Sequence, residues 1–474
     1  MRLERTAAVM ACLALGACAA GREPQVGLPA AYDAPNPGEL PAETLDRWWT
    51  SFGDPQLEAL IERALVEAPD ARSAAARLAE ARASGATALT AFLPQGNATG
   101  SARRTETRQT EGPQLDIPGY SLSGTSDAYA ANFNVSWEID LFGRFFAARQ
   151  AYRGDVAAAR FSYEGARASL AAAIADAYFQ ARGLAIQLED ARETVRIQRA
   201  LYEVAQARAE RGLGASSDAD RVAGDLAQAE TQAASLEAEL QAARRSLLVL
   251  VGRGAAPIAE MPAPPAVGTI PAVPATIPGQ LLARRPDVRE AEARVQSALG
   301  RGRYARLAFF PTFDLTPGLG LSRSVQPDYE YTTENWSIGA QATIPVLDIP
   351  RLLLELKAQD ARTEQAVIAY EDAVQTAFGE AENALVRLAA DRRGVTLLQD
   401  GEARARRAFE ASRTGYEAGL TDLQTVLGAE QSWRATRSQL AAAQVQGLRR
   451  AVQTYKALGG GWPAGPVQTA EKAR

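Results

Sequence analysis

The sequence predicts a mainly α-helical protein with a small β part, built twice over from one plan, and three observations predict it. First, of 25 prolines none falls between Pro118 and Pro257, and none between Pro350 and Pro463. An interior proline removes a backbone donor and costs a helix roughly 3 kcal/mol, so such gaps in a proline-rich chain imply very long helices. Second, short stretches between the helical ones change from a helical apolar period to strict alternation, the signature of half-buried strands. Third, Pro69-Asp70-Ala71-Arg72 returns as Pro286-Asp287-Val288-Arg289 and Leu93-Pro94 as Phe310-Pro311, both 217 residues on. Gly212-Leu213 returns as Gly419-Leu420 and Val251-Gly252 as Leu458-Gly459, both 207 residues on, which marks an internal duplication.

The chain opens with Arg2 and Arg5 and then an apolar run from Thr6 to Ala17, shaped like a secretory signal and too short to span a bilayer. Leu15-Gly16-Ala17-Cys18 resembles the end of a bacterial lipoprotein signal, so residues 1–17 are expected to be removed and Cys18 acylated. Cys12 lies inside that signal, which leaves Cys18 as the one mature cysteine and excludes an internal disulfide. Residues 18–45 hold five prolines from Pro24 to Pro41 and read as an extended tether. A first helix follows Asp54, a candidate N-cap, with Pro55 at its first position and Leu57, Leu60, Ile61 and Ala64 on one face. A second, alanine-rich helix is expected from Pro69 to about Ala91.

Four strands are expected at about 96–104, 128–140, 312–322 and 335–347. In the second, Tyr129, Ala131, Phe133, Val135, Trp137 and Ile139 face one way and Asn132, Asn134, Ser136, Glu138 and Asp140 the other. Strands of about ten residues can cross an outer membrane at a tilt, although a soluble sandwich also alternates. Four are too few to close a membrane barrel, which takes about eight or more, so a barrel requires several chains. Pro317 conflicts with its strand because it lacks a ladder donor.

Between and after the strands come the long helices. Leu170, Ile174, Ala177, Ala181, Leu184, Leu188, Ala191 and Val195 form a heptad seam, and Leu226 to Leu250 resume it after a break at Gly212-Leu213-Gly214. An outgoing limb of about 70 residues is on the order of 100 Å long, far more than a globular core or bilayer needs. A structural coiled coil fits this periodicity taken alone.

For catalysis the sequence offers little. It has no histidine and no phosphate-binding glycine loop with lysine, and Asp and Glu alternate with Arg at the spacing of solvated helix faces. No enzyme activity, cofactor or metal is expected. A net charge of -5 and a pI near 5.3 argue against a nucleic-acid partner.

The motifs in order are Trp48-Trp49 with Asp54-Pro55, then Trp137-Glu138-Ile139-Asp140-Leu141-Phe142-Gly143-Arg144, Arg211-Gly212-Leu213 and Arg284-Arg285-Pro286-Asp287-Val288. Gly415-Tyr416-Glu417-Ala418-Gly419 and Leu458-Gly459-Gly460-Gly461-Trp462 complete the set. Together they resemble the TolC-type outer-membrane efflux factors, in the lipoprotein branch found with resistance-nodulation-division pumps. The resemblance implies a homotrimer in the outer membrane, its twelve strands forming one open barrel continued by a twelve-helix tunnel into the periplasm. It implies a passive duct that carries small molecules from a periplasmic adaptor and an inner-membrane pump to the exterior. The hairpin tips that would meet the adaptor are Arg211, Gly212, Leu213, Gly214, Ala215 and Ser216, with Gly419, Leu420, Thr421 and Asp422. Tunnel-constricting positions map to Asp218, Tyr416, Thr425 and Gly428, and Thr421 stands where relatives have arginine. Thr425 and Gly428 replace carboxylates, for which Asp422 is a candidate substitute.

The implied organisation is a first repeat at 46–256, a linker at 257–278, a second repeat at 279–461 and a disordered tail at 462–474. The alternative is a periplasmic adaptor or structural coiled-coil lipoprotein, which keeps the hairpins but lacks membrane strands. A porin-like importer is a third, although it needs no helices on the order of 100 Å long.

Overall fold

The computed structural model describes residues 27–34, 42–108, 110–111, 124–212, 215–274, 278–279, 284–326, 329–418, 420–421 and 423–462. The predicted signal and Cys18 lie outside them. After short 3-10 turns at Ala42–Leu45 and Trp48–Phe52 come α1 (Pro55–Glu67), α2 (Pro69–Thr90), β1 (Gln95–Thr107), β2 (Gly124–Glu138), α3 (Arg144–Glu210) and α4 (Ser216–Leu250). The second half repeats the order with α5 (Pro286–Leu307), β3 (Thr312–Val325), β4 (Glu330–Thr343), α6 (Ile349–Glu417) and α7 (Leu423–Ala457). The duplication is visible in the element lengths: α2 and α5 have 22 residues each, α4 and α7 have 35 each, and α3 and α6 have 67 and 69.

The chain divides into two compact units. One holds residues 79–158 and 292–369 and contains the sheet; the other holds 25–78, 159–291 and 370–474. In the second unit the core gathers Trp48, Trp49, Leu57, Ile61, Ile174, Tyr178, Leu248, Leu388 and Tyr455, all nearly inaccessible to solvent. Trp48 stacks on Tyr455 with centroids 5.6 Å apart. Asp54 caps α1 as expected, accepting from the Gln56 and Leu57 nitrogens at 3.1 and 3.3 Å. The same carboxylate accepts from the Tyr178 hydroxyl and the Arg182 guanidinium, each at 2.7 Å, which ties the cap of α1 to the middle of α3. Burial, and then donation to Asp54, push the Tyr178 phenol well above its ordinary pKa, so it stays a donor. The heptad seam runs along α3 and α4 as read, its positions buried or half-buried.

Two joints repeat. Gly252, at φ +84°, ends the first hairpin against the start of α2, where a β-carbon would lie 3.2 Å from Ala68 Cα. Gly459, at φ +78°, ends the second against Arg284, just before α5. Only glycine combines that backbone conformation with such an approach.

The described parts of three segments read as connectors are packed. In the expected tether, Leu45 is inaccessible, Ala34 is buried, Tyr32 stacks on Phe378 at 5.8 Å, and Leu28 packs on Val288 and Val374. In the linker, Met261 and Val273 are buried, the Tyr455 hydroxyl donates to the Ala272 carbonyl at 2.7 Å, and Arg392 donates to that of Pro271. Trp462, expected in the disordered tail, is 5% exposed and donates its indole N–H to the Arg284 carbonyl at 2.8 Å. Residues 463–474 lie outside the described set.

In the sheet-containing unit, α3 and α5 touch backbone to backbone. A β-carbon at Gly154 would lie 2.5 Å from the Ser297 nitrogen, and one at Gly300 would lie 2.8 Å from Ala151 Cα. Gly154→Val is therefore expected to destabilise the protein by about 1–3 kcal/mol through overpacking. Gly379→Ala, inside α6 with nothing near its position, is expected to stabilise it by about 0.5–1 kcal/mol. Denaturant melts of the detergent-solubilised variants check both signs.

Candidate membrane sheet and hairpin tips

The four strands form one antiparallel sheet in the order β1-β2-β3-β4. They run 13 to 15 residues, longer than the alternation alone marked. β4 starts at Glu330 and stops at Thr343 rather than running to 347, because Pro345 cannot continue the ladder. β3 does pass through Pro317: it pairs there with Ile338 of β4, while the ladder to β2 is interrupted at Val135 and Ser136. The missing proline donor falls on one side only.

The register places Phe133, Leu319 and Trp336 side by side across three strands. Val135, Trp137, Leu315 and Ile338 share their face and Ala98 carries it onto β1, while the next two rows, which hold Leu321 and Tyr129, also hold Glu334 and Arg323. These side chains are open to their surroundings; Trp336 is 76% exposed, Ile338 65% and Leu319 60%. A contiguous apolar surface of this kind is a site of contact with lipid or protein. No described helix is long and apolar enough to cross a membrane. Among the described residues β1 and β4 each have one neighbour, leaving both outer edges of the sheet unpaired.

The strand-to-helix junction is built by the sequence motif. Asp140 accepts from the backbone nitrogens of Phe142, Gly143, Arg144 and Phe145 at 2.8 to 3.2 Å, capping α3. Gly143 turns at φ +89°. Arg144 bridges Glu138 at 3.0 Å and donates to the Tyr304 hydroxyl at 2.9 Å, and Trp137 donates to the Phe92 carbonyl at 3.1 Å. Burial opposes ionisation of Asp140, but the four backbone donors outweigh it and hold its carboxyl below the usual range.

At the first tip Gly212, at φ +65°, donates to the Ala209 carbonyl at 3.0 Å. Ala215 precedes α4 without a side-chain cap, and Arg211 and Ser216 are exposed. Leu213 and Gly214 lie outside the described residues. At the second tip the Leu420 nitrogen donates to the Gly415 carbonyl at 2.7 Å, and Leu420 is 81% exposed. Thr421 commits its hydroxyl to the Ser412 carbonyl at 3.1 Å. Gly419 and Asp422 lie outside the described residues. Asp218 falls in the first turn of α4 and Tyr416 in the last turn of α6, while Thr425 and Gly428 are exposed on α7.

Sequence reasoning missed the ionic ladder that joins the hairpins. Arg449 of α7 holds Asp176 of α3 through two bonds of 2.8 Å, Arg437 holds Asp190 at 3.1 Å, and Arg434 donates to Thr194 at 2.9 Å. Arg192 with Glu237 and Arg199 with Glu230 tie α3 to α4. These residues carried no local signal, because alternating charges read as a solvated face.

The model of the outer membrane efflux protein family matches residues 60–253 and 277–460. The chain is 30% identical over 459 residues to the pyoverdine export outer membrane protein OpmQ of Pseudomonas putida, covering 95% of this chain and 96% of that protein. It is 28% identical to the cation efflux system protein CusC of Escherichia coli, over 88% of each. The solved open state of the MtrE outer membrane channel of Neisseria gonorrhoeae superposes with a TM-score of 0.77 at 25% identity, over 93% of this chain and 97% of that one.

Asp140→Ala is expected to cost about 1 kcal/mol at neutral pH, as loss of an N-cap does. Since the native carboxyl is held low, its contribution is present above the usual carboxylate range and is lost as pH falls through the native value. Thermal melts should show the gap between wild type and variant at pH 7 narrowing towards pH 3.

Proposed function

Because the chain belongs to the outer membrane efflux protein family, we propose that three copies pair their open sheets edge to edge into one twelve-stranded barrel. The protein is the outer-membrane component of an efflux system. The observation that carries the trimer is the four-stranded sheet with one apolar face and two unpaired edges. In hydrocarbon each unpaired backbone group costs several kcal/mol, and four strands cannot close on themselves. Pairing β1 of one copy with β4 of the next removes both edges. The long hairpins then continue the barrel into the periplasm as a passive tunnel.

At their tips Arg211 to Ser216 and Gly419 to Asp422 dock a periplasmic adaptor, which couples the duct to an inner-membrane pump of the resistance-nodulation-division class. Asp218, Tyr416 and Asp422, with Thr425 and Gly428, line the constriction there. Cys18 carries the lipid anchor. The tight, exposed turns at Gly212 and Leu420 support a docking role.

The molar mass of the detergent-solubilised mature protein by light scattering, corrected for detergent, tests the reading: about three chains are expected. A folded monomer would sink it. Gly212→Val strains a turn that only glycine adopts freely but meets no neighbour; it should weaken adaptor binding at least tenfold, about 1.4 kcal/mol, while leaving the trimer mass unchanged.

A further inference from the structure

Four consecutive rows across the polar face of the sheet hold no charged side chain. From the row of Gln95 to the row of Ser101 the strands contribute only amides, hydroxyls, glycines and one alanine. Charge is confined to the ends of that face, with Glu138 opposite Asp314 at one and Arg103 at the other. In a chain that is nearly one quarter charged residues, this band departs from its surroundings.

The middle of the band is built around glycine gaps in β3. At Gly320 a β-carbon would meet Asn335 Oδ1 from β4 and lie 3.0 Å from Asn132 Oδ1 of β2. At Gly318 it would lie 3.0 Å from Ser337 Oγ and 3.2 Å from Asn134 Oδ1. Amides and a hydroxyl from both neighbouring strands thus lean over the same two glycines. An amide presents both an N–H donor and a carbonyl acceptor, and a hydroxyl does likewise. Such a surface can replace part of the hydration of an anion or of a cation, whereas rings of charged side chains favour one sign.

We propose that this amide and hydroxyl band is the inner wall of the barrel and makes it indifferent to the sign of solute charge. The duct at this level takes polar small molecules, anionic, cationic or neutral, by hydrogen bonding and size. This rests on the three-chain barrel argued above, in which the apolar face meets lipid and the polar face the lumen.

The test places a thiol on the band by Asn335→Cys in the full mature protein, reconstituted in liposomes after its trimeric mass has been checked. Its modification rates by an anionic sulfonate and a cationic trimethylammonium methanethiosulfonate are each divided by that reagent's rate with free 2-mercaptoethanol. The normalised rates are expected to agree within about threefold. Adding Asn132→Asp should raise the cationic rate over the anionic by about tenfold, since focused charge in a cleft concentrates counter-ions by that order or more. A tenfold preference for either sign in the single variant, or no change on adding the carboxylate, would overturn the neutral wall alone. A trimer whose introduced thiol neither reagent reaches would overturn the lining of the barrel by this face, and the duct with it. Thr333→Cys, one row away on the same face, serves as the reporter if the first variant does not assemble.

Discussion

A β-strand carries its hydrogen-bonding groups on its edges, and a lipid interior offers them no partner. That constraint governs this molecule. Among the described residues one chain supplies four strands, with one face mainly apolar and the other polar, and two open edges. Duplication doubles the hairpin but does not close it. The proposed barrel is shared for this reason, each chain contributing a pair of hairpins bounded by helices whose length has no use inside a bilayer. The helices answer the opposite constraint, since in water their backbone is self-satisfied and only an apolar seam needs cover. Asp140 stands at the change from one regime to the other, accepting from four consecutive backbone nitrogens, the last two of which, Arg144 and Phe145, open α3.

Beyond the sheet, a compact aromatic core anchors chain segments from both repeats. Trp48, Tyr178 and Tyr455 come from the start, middle and end of the sequence and lie in one cluster. The alanines of the heptad seam bring helices near enough for side chains such as Arg449 and Asp176 to meet in pairs. Ion pairs that stay partly in contact with water contribute little stability each, about 0–1 kcal/mol. Their value lies in register, because bonds at Asp176, Asp190 and Thr194 hold α7 at one height along α3.

Most of the architecture was legible because its signals are periodic or local. The proline gaps marked α3 with α4 and α6 with α7; the alternation from Tyr129 to Trp137 marked β2; Asp54 and Pro55 marked the start of α1. The break between α3 and α4 was legible through Gly212, which turns there at φ +65°. Strand ends were misread where alternation continues past the last pair, as at Ile344 and Val346 on either side of Pro345. The packed tether, linker and Trp462 were illegible for a different reason. Proline, alanine and glycine compose both spacers and close-fitting extended segments, and the partners that decide between them, Phe378, Tyr455 and Arg284, lie far along the chain. The ionic ladder and the amide band were hidden alike, being pairings between residues that no local pattern connects.

The glycine strap at 459–461 has a consequence for biogenesis. Gly461 donates its backbone N–H to the Leu45 carbonyl at 2.8 Å, and a β-carbon at Gly460 would press on the Trp48 ring. The start of the first repeat is thus seated against the end of the second, so both repeats must be made before that seat exists. Contacts of such sequence separation form slowly. A product cut short before Gly460 lacks one wall of the Trp48 pocket, whose other walls are Trp49, Phe52 and Tyr455.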